Sequence, residues 1–389
     1  MAAKQWVVVG GADKGGILVR EGESVKSAQT AERLSTGAEI EEIELKGERL
    51  HYKLLTGTGP AEGWVALSVS GKTLVEEKED EYGPPSEPGP VEVDADFKSR
   101  TEKKCAAMKG EFLDYVPKYK VFGGPLEDPK LRIVCFHNAG GAETNYTGPG
   151  TPIFKWLKEK PQRVEIIAFD YPGRQKMLKK TKHVSIETLA PELLACVFEK
   201  LNDGVPYITW GHSVGTWVAF EFLIAARKCG LPMPKCAFFN AFPAPHMPVA
   251  QRPWEKSAAM DDKGLRAALL KWDEEHLSGA GKVVFDEPNW MPVYEPQMRA
   301  DFRLFDEYKF KHSGCPKFDF PIHAWHMEKE AYNKVEMVEL WKDWTSGTFD
   351  HCTMKGMGHL TCFYKPDYKT EYFTKVLDII KETAATELA

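Results

Sequence analysis

The chain has 389 residues, 43% of them hydrophobic and 28% charged, with a formal net charge of −6 at pH 7. That composition supports one large core and a small second one, and the acidic balance argues against a nucleic-acid partner. No apolar run approaches ~18 residues, so nothing reads as a membrane span.

Residues 1–75 alternate apolar and polar positions between Gly-rich turns, which predicts short strands at 5–9, 17–20, 39–45, 49–54 and 64–68. The segments Thr36-Gly-Ala-Glu-Ile-Glu-Glu42, Leu50-His-Tyr-Lys-Leu54 and Gly63-Trp-Val65 resemble bacterial-type SH3-like domains. The resemblance implies a small β-barrel closed around the tryptophan by the strand that follows. Its role would be a docking module or a passive appendage, with the partner unknown. Residues 76–104 read as an acidic, Pro-rich linker that lets the two domains move independently. Glu76, Glu77, Glu79, Asp80 and Glu81 run into Pro84, Pro85, Pro88 and Pro90, and then Glu92, Asp94 and Asp96.

From residue 105 to 389 the pattern changes. Apolar runs at 131–136, 164–168, 207–210, 236–240, 322–325 and 348–354 alternate with helical stretches, including 186–200 and 368–383. Buried strands separated by helices imply a mostly parallel sheet covered on both faces.

One run carries chemistry. Residues 207–217, Tyr-Ile-Thr-Trp-Gly-His-Ser-Val-Gly-Thr-Trp, pass from an apolar strand through Gly-x-Ser-x-Gly into a helix. The geometry of such an elbow exposes the oxygen of Ser213 above the sheet, and Gly211 and Gly215 remove side chains that would clash across the turn. The loop His137-Asn-Ala-Gly-Gly-Ala142 leaves another strand end and can aim a backbone N–H at the nucleophile. The expected oxyanion donors are the amides of Ala139 and Val214. Lys355-Gly-Met-Gly-His-Leu360 follows the last strand, so His359 is the expected general base. The acid that orients it should follow the strand ending near Trp325, where Glu328 and Glu330 are available. The eight cysteines form no Cys-x-x-Cys pair and read as free thiols in a reducing compartment, cytoplasmic or the interior of an organelle. The N-terminal Met-Ala-Ala-Lys-Gln-Trp lacks a signal-peptide apolar region.

Together these segments resemble the type II (editing) thioesterases of the α/β-hydrolase superfamily over residues ~130–380. Tyr171-Pro-Gly-Arg174, Arg299-Ala-Asp-Phe302 with Tyr308, Phe320-Pro-Ile322 and Trp341-Lys-Asp-Trp344 complete the match. The resemblance implies hydrolysis of acyl thioesters carried on phosphopantetheine, on acyl carrier protein or CoA, with no cofactor and no metal. It places editing or release in polyketide, non-ribosomal peptide or fatty-acid synthesis. It also selects Glu330, nine residues after Pro321, as the acid, with Glu328 second. Two departures stand out: the family's usual acid is Asp with a preceding glycine, and the residue after Gly-His is Leu360 rather than an aromatic. The 80 or so residues between the strands at 240 and 322 are too many for a loop. The resemblance makes 246–315 a helical lid, with Trp254, Leu269, Trp272 and Trp290 as an apolar wall for the acyl chain or as packing. Arg174, Lys176, Lys179, Lys180 and Lys182 form the expected docking edge for an acidic carrier. An acyltransferase or cyclase on the same fold, or a non-catalytic carrier-binding scaffold, are the rival readings.

Overall fold

The first segment folds as expected, with two exceptions. In a computed structural model, which describes residues 4–78, 84–122, 124–159, 163–286 and 290–389, strands β1 (Gln5–Val8), β2 (Glu39–Lys46), β3 (Arg49–Thr56) and β4 (Glu62–Ala66) pair antiparallel. A short hairpin, β5 (Ser68–Val69) and β6 (Lys72–Thr73), intervenes, and β7 (Val75–Glu77) then pairs with the free edge of β1. The sheet order is β4-β3-β2-β1-β7. Trp6, Val8, Ile40, Leu50, Tyr52 and Val65 alternate into one core. Residues 17–20 do not form the expected strand. Ile17 and Val19 are buried, but their backbone makes only isolated bridges, Ile17 to Leu34 and Arg20 to Gln29 and Trp64. The strand expected to close around Trp64 is also displaced: the chain after β4 turns into the small hairpin and joins the opposite edge of the sheet. Trp64 instead stacks on His51, with centroids 4.8 Å apart.

The chain divides into two compact units, Met1–Tyr82 and Gly83–Ala389. The 76–104 stretch is structured at both ends, a correction to the linker expectation. Val75–Glu77 is β7, and Ala95–Met108 is a helix. Asp94 caps that helix by accepting the Phe97 N–H at 2.8 Å, a local bond that outweighs the repulsion among neighbouring acids. Glu79, Asp80 and Glu81 lie outside the described residues.

The second unit is an α/β sandwich. Strands β8 (Leu131–Phe136), β9 (Val164–Ala168), β10 (Tyr207–His212), β11 (Ala237–Asn240), β12 (Ile322–Met327) and β13 (Phe349–Met354) are all parallel, in the order β13-β12-β11-β10-β8-β9. Every residue of β8 to β11 is buried, as a sheet covered on both faces requires. Leu131, Ile133 and Cys135 face the C-terminal helix Pro366–Thr383 through Tyr372, Phe373 and Val376. On the other face Phe136 meets Phe222 of the helix Val214–Lys228, at 5.1 Å. Between β11 and β12 the helices Asp262–Trp272, Glu274–Ser278 and Glu295–Asp306 form the lid. Among the described residues no helix is long and apolar enough to cross a membrane.

Candidate active site

The elbow follows from steric exclusion. Ser213 sits between β10 and the next helix with φ 56° and ψ −136°, a left-handed conformation that costs a non-glycine residue on the order of 1–3 kcal/mol. The turn is tight enough that a Cβ at Gly215 would lie 2.3 Å from the Phe136 carbonyl, and one at Gly211 would lie 2.7 Å from that of Gly215. Neither position accepts a side chain. The Ser213 N–H donates to the Asn240 carbonyl at 2.9 Å, which ties the elbow to the end of β11.

His359 lies 146 residues away in sequence and places Nε2 2.8 Å from Ser213 Oγ. Its Nδ1 faces both oxygens of Glu330, at 2.8 and 3.0 Å. A carboxylate on that side assigns the ring proton to Nδ1 and leaves Nε2 to accept from the serine. The Glu330 side chain is fully buried. Burial pushes its carboxyl up from the ordinary range, and the attraction of His359 opposes this. Asn333 donates to Glu330 Oε2 at 3.2 Å and to the Ala241 carbonyl at 2.9 Å. Glu328 is elsewhere, at the surface with Lys355 Nζ at 2.9 Å and the Gly356 N–H at 2.7 Å.

A second histidine steadies the first. His212 Nε2 bonds the His359 carbonyl at 2.8 Å, and its ring is held well below the usual histidine range by burial and by His359. The neutral ring donates through Nε2, and Nδ1 approaches the Tyr372 hydroxyl at 3.4 Å. That hydroxyl donates to Nδ1 and accepts from Trp210 Nε1 at 3.1 Å and Asn240 Nδ2 at 2.9 Å.

The 137–142 loop stands beside the serine, with Asn138, Ala139 and Gly140 lining the same cavity as Ser213 and His359. Val214 opens the adjoining helix, where the first N–H groups have no partner within the helix. The lid supplies the apolar walls, including Leu269, Trp272, Met298, Phe302 and Phe305. Trp272 also packs on the His359 ring, with centroids 5.0 Å apart.

Two of the four expected wall residues are absent from this cavity. Trp254 stacks on Phe242 at 5.3 Å and lines a neighbouring cavity under the lid. Trp290 is buried between Phe285 and Arg266, with its indole N–H on Asp262. Large aromatics in a lid must first bury themselves, and these two do so against lid and core.

The expected docking edge also divides. Arg174 is buried, not exposed. Its guanidinium grips Asp301 through bonds of 2.6 and 2.7 Å and donates to His137 Nε2 at 3.0 Å. An ion pair with good geometry on both sides offsets the desolvation that otherwise keeps arginine at the surface. Lys180 is half-buried on Glu111 and the Tyr115 ring, and Lys182 is half-buried with its stem over Gly173. Lys176 and Lys179 are exposed.

Comparison with known proteins agrees with this architecture. The sequence profile of the Thioesterase domain family matches residues 131–366, more than half of the chain. The chain belongs to the thioesterase domain family. Its chemistry is therefore thioester hydrolysis. Among curated relatives, the gramicidin S biosynthesis protein GrsT of Aneurinibacillus migulanus is 23% identical over 269 residues, spanning 69% of this chain and 97% of that one. Thioesterase PikA5 of Streptomyces venezuelae is 25% identical over 255 residues, 65% of this chain and 82% of that one. Among solved structures, the type II thioesterase BorB from the borrelidin biosynthetic cluster superposes with a TM-score of 0.53 at 25% identity, covering 67% of this chain and 95% of that one. The RedJ thioesterase of the prodiginine pathway in Streptomyces coelicolor gives a TM-score of 0.52 at 24% identity, over 67% and 92%.

Sequence reasoning did not anticipate Asp273, which accepts the Leu360 and Thr361 N–H groups at 2.6 and 3.0 Å, Asp301 as the acceptor of the Gly140 N–H at 2.7 Å, or the His212–Tyr372 support. Only Asp273 carried a local signal, an Asp ahead of Glu-Glu-His that reads as a helix cap.

Proposed function

We propose that the protein is a serine thioesterase that removes acyl groups from the phosphopantetheine arm of a carrier protein or of CoA. The observation that carries this is one buried imidazole bonded on one side to Ser213 and on the other to Glu330. His359 takes the serine proton as Oγ attacks the thioester carbonyl. The Ala139 and Val214 amides are the proposed donors to the oxyanion. The C–S bond breaks, the imidazolium returns its proton to the leaving thiolate, and an acyl-serine remains. A water deprotonated by the same ring then releases the carboxylic acid and restores Ser213.

The reach of Glu330 to His359 supports a working site over a degenerate, non-catalytic one. The relatives act in gramicidin S, prodiginine and borrelidin biosynthesis by name, which supports editing or release on an assembly line of that kind. Lys176 and Lys179 remain as the proposed docking edge for an acidic carrier. For the first unit, the antiparallel sheet and the buried Trp64 support an SH3-like module whose partner is open.

Ser213→Ala tests the reading. It should abolish thiol release from acyl-CoA while circular dichroism is unchanged. Full hydrolysis by that variant excludes Ser213 as the nucleophile.

A further inference from the structure

Both loops that carry the chemistry are held by a buried carboxylate of the lid. Asp301, on the lid helix Glu295–Asp306, accepts the Gly140 N–H at 2.7 Å across 161 residues of sequence. The same carboxylate holds Arg174, which in turn holds His137. His137 Nδ1 bonds the Asn138 carbonyl at 2.8 Å, so the loop is gripped on both sides of Ala139. Asp273, between two lid helices, accepts the Leu360 N–H at 2.6 Å and the Thr361 N–H at 3.0 Å through Oδ2. These are the two residues that follow His359. Its other oxygen caps its own helix on the His276 N–H at 3.1 Å. Asp273 and Asp301 are 5% and 4% exposed. Burying a carboxylate is unfavourable unless its lone pairs are used, and here they are used on the two catalytic loops.

We propose that the lid completes the active site as well as covering it, with Asp301 and Asp273 as positioning residues. Asp301 fixes the oxyanion loop and Asp273 fixes the histidine loop. Lifting the lid breaks both sets of bonds at once, so a site open to bulk water loses its donor geometry and its base together. A seated lid is then a condition of turnover and not only of substrate retention. This rests on the serine thioesterase reading above.

The test separates loop positioning from simple stability. The double variants R174M/D301N and R174M/D301L both lack the ion pair, but only the first keeps an oxygen that can accept the Gly140 N–H. Active sites are counted by exhaustive labelling of Ser213 with a fluorophosphonate, and kcat and KM for an acyl-N-acetylcysteamine are expressed per labelled site. R174M/D301N should keep a kcat at least tenfold above R174M/D301L, with KM values within threefold of each other. D273L should lower kcat per site by about 100-fold, the scale of one lost oxyanion donor or a misplaced base, and D273N by less. Equal kcat per labelled site in the two double variants, together with D273L at wild-type kcat, overturns the proposal and makes the aspartates structural only. If the wild type labels but hydrolyses no thioester, the thioesterase reading fails while the clamp is still read from labelling rates, which should rank the variants in the same order. A wild type that neither labels nor hydrolyses removes both readings.

Discussion

Glu330→Gln is the substitution whose outcome the geometry constrains most closely. The glutamate presents Oε1 and Oε2 to His359 Nδ1 at 2.8 and 3.0 Å, and Oε2 also accepts from Asn333 Nδ2 at 3.2 Å. A glutamine has one oxygen and one amino group. Asn333 is a donor, so it favours the amide oxygen on its own side and turns the amino group towards Nδ1. Nδ1 must then accept, the ring proton moves to Nε2, and Nε2 can no longer take the proton from Ser213. The wrong tautomer in a comparable triad costs about 10⁴ in kcat, or roughly 5.4 kcal/mol. If the amide flips instead, only the charge is lost. Attraction between a carboxylate and a forming imidazolium ~4 Å apart is about 4 kcal/mol at an effective dielectric of 20, or about 10³ in rate. Either way kcat should fall by roughly 10³ to 10⁴.

Glu330→Asp keeps the charge but withdraws it by about one C–C bond, ~1.5 Å, so a loss between the wild type and the glutamine variant is expected. Glu328→Gln should stay within twofold of wild type, because Glu328 serves Lys355 and Gly356 at the surface. The assay is thiol release from an acyl-N-acetylcysteamine, with Ser213 labelling as the measure of intact sites. An E330Q enzyme that keeps more than a tenth of wild-type kcat refutes the assignment of Glu330 as the acid.

Asp306 should give the chain a pH-dependent weakness. Burial pushes its carboxyl from 3.8 to about 6 against the bonds from Ser257, and Oδ1 has no partner among the described residues. The folded state holds the proton more tightly than the unfolded one, so stability falls as pH rises from about 4 through 6, by up to about 3 kcal/mol. D306N should therefore gain on wild type between pH 4.5 and 7.5 in urea unfolding, and a gap that does not change with pH would contradict this. Cys315 should be the cysteine alkylated fastest by iodoacetamide at pH 7.5. A hydrogen bond from His312 holds its thiol below the usual value against burial, and Glu221 supports that ring at 2.8 Å. Mass spectrometry that finds another cysteine modified first, or no slowing in H312A, counts against it. K176E/K179E should raise KM for an acyl-carrier substrate severalfold and leave acyl-N-acetylcysteamine hydrolysis unaltered, and equal effects on both substrates would remove the docking edge.

The parts of the site legible in the sequence are those that local sterics and local order enforce. Gly211 and Gly215 are present because a Cβ at either would strike backbone, and that requirement is written within five residues. Strand β8 and the glycine-rich loop after it are contiguous, as are β13 and the loop of His359. The residues misread are those whose partner is remote. Arg174 sits among lysines, and nothing nearby shows that Asp301, 127 residues on, takes it out of solvent. Trp254 and Trp290 are apolar lid residues like Leu269 and Trp272, and only the packing decides which pair faces the serine. The 17–20 segment has strand alternation, but alternation reports which side chains turn inward and not whether a neighbouring strand is there to pair with.

Glu330 shows how the two kinds of information meet. An acid with a longer side chain and no preceding glycine need not misplace the base, provided the backbone compensates. Here the chain turns at the end of β12, with the Glu330 N–H on the Met327 carbonyl at 3.0 Å. Asn333 braces both the carboxylate and the Ala241 carbonyl after β11. The carboxylate is thus held from two strands at once, and the His359 loop is held from the other side by Asp273. Length at position 330 and fixation at position 273 act on the same distance, Nδ1 to Oε1. A longer arm has more conformations to lose, so it relies more on an imidazole that is already held still. Pairing E330D with D273N separates the two contributions. If they share one geometric task, the double variant should lose less in kcat than the product of the single losses, a coupling of the kind expected for residues acting through one contact. Strict multiplication of the two losses would show that the histidine loop and the acid are set independently.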